Sequence, residues 1–182
     1  MTEFVLASHN LRKHAELVEL LAPYGHQLRS YPDALPQEGT ISLQANALHK
    51  AQVVHAAWPN AWVLADDTGL FLAAKPDALG VSTHRQLPAV GTNTALLAML
   101  TPQMSRRCEL RSTLVIQAPS GDIQSATGSL AATLATKVRG EWSRGFDRLL
   151  IPVGEALTLA EMPLSIRQAY LPRQRALAQL FI

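Results

Sequence analysis

A mixed α/β sheet flanked by helices is the fold class that this sequence predicts, on three observations. Short apolar runs alternate with helically spaced apolar residues through the first half of the chain. Two longer strand-like runs follow, separated by a turn. Apolar residues make up 48% of the 182 and run throughout, enough for one domain with a real core, or two small lobes sharing one sheet. Long strands arriving after the alternation argue for a mixed sheet rather than a purely doubly wound one. Residues 1–182 are therefore taken as a single domain.

The opening Phe4-Val5-Leu6-Ala7 reads as a buried strand feeding the polar turn Ser8-His9-Asn10. Leu17, Leu20 and Leu21 recur at helical spacing, so residues 11–22 read as an amphipathic helix that Pro23 and Gly25 stop. A second strand is expected around residues 26–31, then a loop marked by Pro32, Pro36 and Gly39. Ser42 is a good N-cap for a helix running to about Ala57, with Leu43, Ala47, Ala51 and Val54 on one face. Trp62-Val63-Leu64-Ala65 is a short apolar strand ending in Asp66-Asp67-Thr68-Gly69. A loop-rich stretch with Pro76, Gly80 and Pro88 leads to a helix over residues 92–100. Residues 107–117 and 122–137 read as long strands about the turn Pro119-Ser120-Gly121-Asp122. Leu149-Leu150-Ile151 is a further short strand, and Arg173–Phe181 a helix with Pro172 at its first position.

Composition excludes several classes. Only 16% of residues are charged, which argues against disorder. No apolar stretch approaches the ~18 residues of a membrane span. The start is apolar too briefly, and lacks a basic flank, for a signal peptide, so a cytoplasmic protein with no membrane partner is expected. The single cysteine, Cys108, forms neither an internal disulfide nor a paired zinc motif and reads as a small buried strand residue. A net charge of +2, scattered along the chain, suits a phosphate-bearing small ligand better than a nucleic-acid groove. No repeat, P-loop, dinucleotide fingerprint, H-E-x-x-H or G-x-S-x-G motif is present.

The polar groups that remain sit at strand ends. Ser8, Asn10 and Lys13 lie where a strand turns into a helix, whose free N–H groups and positive potential suit phosphate. They read equally as a helix cap beside a solvated lysine. Asp66 and Asp67 are adjacent carboxylates at a buried strand end, where a cation would relieve their repulsion; oxygen donors of this kind suit Mg²⁺. A turn capped by Asp67 through Thr68-Gly69 is the alternative. Asn46 and Lys50 share a helix face one turn apart, after Glu38; Lys50 also reads as a lysine lying along an apolar helix with its head in water. Together, carboxylates for a metal, lysines for a polyphosphate and a helix N-terminus for oxyanions make a device for phosphoryl chemistry.

These residues, in this order, resemble the inosine/xanthosine triphosphate pyrophosphatase family. Ala7-Ser8-His9-Asn10-Leu11-Arg12-Lys13 resembles its T-x-N-x-x-K opening. Glu38-Gly39-Thr40 and Asn46-Ala47-Leu48-His49-Lys50-Ala51 resemble its E-x-G and E-N-A-x-x-K-A segments. Leu64–Leu70 resembles its A-D-D-S-G-L strand end, and Gly80–Arg85 its P-G-V-Y-S-A-R segment. Arg139-Gly140-Glu141, Gly145-Phe146-Asp147 and Arg173–Leu177 are similar to its R-G, F-G-Y-D-P and S-H-R-x-R-A-L runs. The resemblance implies a long twisted mixed sheet, two lobes with a central nucleotide-binding cleft, and a homodimer. It implies Mg²⁺-dependent cleavage between the α and β phosphates of a noncanonical purine nucleotide. Asp67, Lys13 and Lys50 would be catalytic, and Glu38, Asp66 and Asp67 would hold the metal. Ser8, His9, Asn10, Lys13, Asn46, Lys50 and Thr68 would bind substrate, with Arg85, Trp142, Arg144, Phe146, Asp147 and Arg173 around sugar and base.

The departures from the family cluster at the base. Arg144 stands where an aromatic is usual, Leu171-Pro172 replace a serine and a histidine, and Ala45 replaces a glutamate. A site without base-edge donors discriminates poorly, so altered base specificity is an alternative. A catalytically silent nucleotide binder is another, and an arginine-based nucleic-acid binder a third.

Overall fold

The apolar run at the start of the chain is buried on both faces, as the interior of a parallel sheet requires. The computed structural model describes residues 1–181. Among them, β1 (Glu3–Ala7), α1 (Leu11–Leu21), β2 (Gln27–Ser30), α2 (Leu43–Ala57) and β3 (Trp62–Leu72) alternate. Then come β4 (Lys75–Gly80), α3 (Thr83–Gln86), α4 (Thr92–Ala98), β5 (Arg107–Gln117) and β6 (Ile123–Leu134). β7 (Leu150–Pro152), α5 (Leu164–Arg167) and α6 (Pro172–Leu180) complete the chain. The strands form one seven-stranded open mixed sheet in the order β2-β1-β3-β5-β6-β7, with β4 on β3. β1 pairs in parallel with β2 and β3; β3–β4 and β6–β7 are antiparallel. The mixed sheet is the predicted one.

Two compact units share the chain. The first comprises Met1–Asp67, Ser112–Gly128 and the chain from Arg173 onward; the second comprises Thr68–Arg111 and Ser129–Pro172. In the first, Ala47, Ala51 and Val54 of α2 pack on Val5, Ala7, Val63, Ala65 and Val115. α1 buries Leu17, Leu20 and Leu21. α6 buries Ala176 and Leu177, and Phe181 beyond it meets Phe4, Tyr24 and His26, which fixes the place of Arg173 at the start of that helix. In the second unit the core is leucine-rich and includes Cys108, as expected of a small buried strand residue. Burial pushes that thiol up to about 12.

Two stretches depart from the sequence reading. β3 does not stop at Ala65 but runs to Leu72, so Asp66 and Asp67 lie inside a strand rather than in a turn. The stretch read as loop after it holds β4 and α3. Aspartate and glycine have poor strand propensity, but tertiary partners override it here. A Cβ on Gly69 would lie 2.4 Å from the Gly80 carbonyl oxygen, so the missing side chain is what lets β4 lie against β3. The short helix α5 was not foreseen, and the remaining elements fall within a few residues of their predicted bounds.

Candidate active site

Consecutive residues of a strand point to opposite faces, and β3 uses this to separate its two carboxylates. Asp66 turns toward α1 and α6. Its Oδ2 lies 2.7 Å from Lys13 Nζ and accepts a hydrogen bond from Arg173 Nη2 at 3.1 Å. Asp67 turns toward α2. There Lys50 Nζ stands 3.3 Å from Oδ1, and Asn46 Nδ2 donates to Oδ2 at 2.9 Å. Both lysines also reach the carbonyl oxygen of Asp66 between the two faces, Lys50 at 3.0 Å and Lys13 at 3.5 Å.

Glu38 joins from the loop before α2, where its Oε1 accepts from Lys50 Nζ at 2.7 Å. Lys50 is thus not a solvated lysine. It is buried, and its ammonium sits among three oxygens, Glu38 Oε1, Asp66 O and Asp67 Oδ1. Asn46, one turn earlier on α2, accepts from the Gly39 N–H at 2.8 Å and donates to the Gly39 carbonyl at 3.2 Å. The pairing of Asn46 with Lys50 on one helix face, read from spacing, places both against Asp67.

At the other end, Asn10 caps α1, its Oδ1 accepting from the N–H groups of Arg12 at 3.0 Å and Lys13 at 3.3 Å. Ser8 Oγ accepts from the Asn10 N–H. Ser8 is buried, His9 and Asn10 are exposed, and Lys13 is partly buried. Glu16 was missed in the sequence. It accepts from Arg173 Nη1 at 2.9 Å, so Arg173 is gripped by two carboxylates. The signal was available: Glu16 falls three residues after Lys13, on the same helix face.

The charges shape one another. Burial alone would raise the Asp66 carboxyl, but the charges of Arg173 and Lys13 overcome it and hold it well below the usual carboxylate range. Burial works against Arg173 and Lys50 too, yet their carboxylate neighbours keep both above their ordinary values. For Asp67 burial wins, and its carboxyl lies above the ordinary value despite Lys50 and Asn46. Glu38 is displaced downward, because its bond to Lys50 and the lysine charges outweigh its burial. Asp67 is therefore the group of this cluster best suited to take a proton, and Lys13 and Lys50 supply cationic donors beside it.

The chemistry of the donor set fits a divalent cation: the oxygens around Lys50 already hold a positive charge. Glu38 and Asp67 contribute carboxylates there, while the Asp66 side chain is occupied by Lys13 and Arg173. Among the described residues no group of three His, Cys, Asp or Glu side chains is placed to hold a metal.

The other predicted residues lie in the second unit. Thr68 follows Asp67 on β3, and exposed Arg85 donates to Ser82 Oγ at 3.0 Å. The loop 142–147 carries exposed Trp142 and Arg144, half-buried Phe146, and Asp147, whose Oδ2 accepts from Ser143 at 2.5 Å. Arg167, unmarked in the sequence, ties this loop down through Nη1 to the Trp142 carbonyl at 3.2 Å, with Nε 3.8 Å from Asp147.

Comparison with known proteins finds relatives along nearly the whole chain. The model of the Ham1 family matches residues 4–182. A dihydroneopterin triphosphate diphosphatase of Limosilactobacillus reuteri is 36% identical, over 97% of this chain and 95% of its own. A dITP/XTP pyrophosphatase of Leifsonia xyli is 31% identical, over 98% and 93%. Among solved structures, a HAM1 protein from Coxiella burnetii superposes with a TM-score of 0.81 at 27% identity, covering 100% of this chain and 97% of its own.

Proposed function

The chain belongs to the Ham1 family, and on that premise we propose that it hydrolyses a noncanonical purine nucleoside triphosphate to the monophosphate and pyrophosphate. The observation that carries this reading is the Lys50 ammonium, buried among the oxygens of Glu38, Asp66 and Asp67, with Lys13 on the same Asp66. Such a cluster stores both signs of charge where a polyphosphate and its counter-cation need them.

In this reading Lys13, Lys50, Ser8, His9 and Asn10 bind the phosphate oxygens. Asp67 accepts the proton of the attacking water, whose oxygen bonds to the α-phosphorus as the bond to the bridging oxygen breaks and pyrophosphate leaves. Glu38 and Asp67 through their carboxylates, and Asp66 through its main-chain carbonyl oxygen, are the candidate ligands for Mg²⁺, since the Asp66 side chain is taken by Lys13 and Arg173. When bound, the ion neutralises phosphate charge and acidifies the attacking water. Thr68 is assigned to substrate, and Arg85, Trp142, Arg144, Phe146 and Asp147 to sugar and base. The same reading takes the protein as a cytoplasmic homodimer, which sedimentation tests; no helix of the described residues is long and apolar enough to cross a membrane.

A second substrate class has specific support. A relative at 36% identity acts on dihydroneopterin triphosphate, and here Arg144, Leu171 and Pro172 stand where the purine-selective pattern has an aromatic, a serine and a histidine. The two substrates differ in the heterocycle and in the linker that carries the triphosphate, and the same phosphate chemistry serves both.

The test is release of pyrophosphate with Mg²⁺ or Mn²⁺ from inosine, deoxyinosine, xanthosine, the ordinary nucleoside and dihydroneopterin triphosphates. Turnover of the purine set supports the first reading, and turnover of the pterin alone moves the protein to the second. Hydrolysis undiminished in Asp67→Asn and Lys13→Ala would overturn the site.

A further inference from the structure

The loop between β2 and α2 has no regular secondary structure, yet it carries Glu38. Two of the contacts that hold it at the site bear on Asp67. One is the bond from Lys50 to Glu38. The other is Asn46, 4% exposed, whose Oδ1 accepts from the Gly39 N–H at 2.8 Å and whose Nδ2 donates to the Gly39 carbonyl at 3.2 Å. A backbone N–H only donates, so the atom facing it must be Oδ1, and this decides which way the amide lies. Nδ2 is thereby directed at Asp67 Oδ2, 2.9 Å away. Both amide hydrogens are spent, one on the loop and one on the strand.

We infer that Asn46 is a positioning residue, not a phosphate ligand. It locks the Glu38 loop to Asp67 so that the two carboxylates keep a set spacing. The lock divides the Asp67 carboxylate: Oδ2 is held by a neutral amide, and Oδ1 is left to face the cationic side. A neutral donor orients the carboxylate without cancelling the charge that a cation needs. The inference rests on the proposed reading of Glu38 and Asp67 as the cation and water site.

Asn46→Ala and Asn46→Asp test it. The aspartate keeps an acceptor for the Gly39 N–H but turns a carboxylate toward Asp67. Mn²⁺ binding is read by electron paramagnetic resonance without nucleotide, and kcat and KM are read on the best triphosphate. Losing an outer partner of a metal ligand weakens metal binding or activity by about 10–100-fold, so both variants should lose that much Mn²⁺ affinity and kcat. KM should stay within about 2-fold, because no substrate contact is removed. Inorganic triphosphate binding weakened about 10-fold, with Mn²⁺ affinity and kcat retained, would make Asn46 a phosphate ligand and overturn the inference. A lowered melting temperature with unchanged Mn²⁺ affinity would overturn it too, leaving a merely structural role. If the parent binds Mn²⁺ but hydrolyses no triphosphate, the proposed function fails, and the Mn²⁺ comparison still decides the role of Asn46.

Discussion

Arg173 Nη2 lies 3.1 Å from Asp66 Oδ2, joining residues 107 apart in the chain at a point where Asp66 is wholly buried. The first residues of the last helix thus complete the charge balance of the central strand. Removing one partner of a buried pair costs about 3–5 kcal/mol, because the other is left uncompensated. Arg173→Met should fall toward the lower end, about 3 kcal/mol, since Lys13 still neutralises Asp66. Urea unfolding measures this; a loss below about 1 kcal/mol would show that the pair is no net tether.

Acid should weaken the fold through the same carboxylate. The folded state holds Asp66 below its unfolded value of about 3.9, so the unfolded chain binds more protons in that window. The contribution is complete above the unfolded value and is lost as pH falls toward the folded one. Stability measured from pH 6 downward should drop more steeply below about pH 4 in the parent than in Asp66→Asn. Parallel curves would refute this.

Cys108 should be inert in the native protein. With its thiol pushed up to about 12, roughly one in ten thousand is ionised at pH 8. Its Sγ also faces the Ala132 carbonyl inside the second core. Labelling by iodoacetamide should be slow until urea unfolds the chain. Rapid native labelling would show that β5 opens readily.

Gly140 should tolerate no side chain. Its φ is +82°, and a Cβ there would lie 2.2 Å from the Ala160 carbonyl carbon. A left-handed penalty of about 1–2 kcal/mol adds to an overpacking cost of about 1–3 kcal/mol. Gly121, at φ +92° with open space around it, isolates the first contribution. Thermal melts of Gly140→Ala and Gly121→Ala should therefore separate clearly; equal losses would mean that the 139–142 loop yields to make room.

Much of the architecture was legible because burial imposes periodicity. Phe4–Ala7 reads as a strand interior since both its faces must be apolar, and Ser42 announces α2 through its cap. The run Asp66–Gly69 misled for a local reason: its residues are turn formers, and partners distant in sequence, among them Lys13, Lys50, Asn46 and the close approach of Gly80, hold them in a strand. The lysines and carboxylates were recognisable from residue type and order. Arg167 was not, because an arginine outside any periodic pattern carries no mark of the partner it will meet, and Glu16 was marked only by its spacing from Lys13.

By itself the sequence determined the mixed α/β class and the main helix limits, because periodicity and caps are local properties, and the family, through motifs kept in order along the chain. Tertiary structure alone decided which carboxylate meets which cation. Asp66 and Asp67 are neighbours in sequence with the same side chain, yet the pleat of β3 sends one to Lys13 and Arg173 and the other to Asn46 and Lys50. That division depends on α1, α2 and α6 packing around a single strand, and no stretch of sequence encodes it alone.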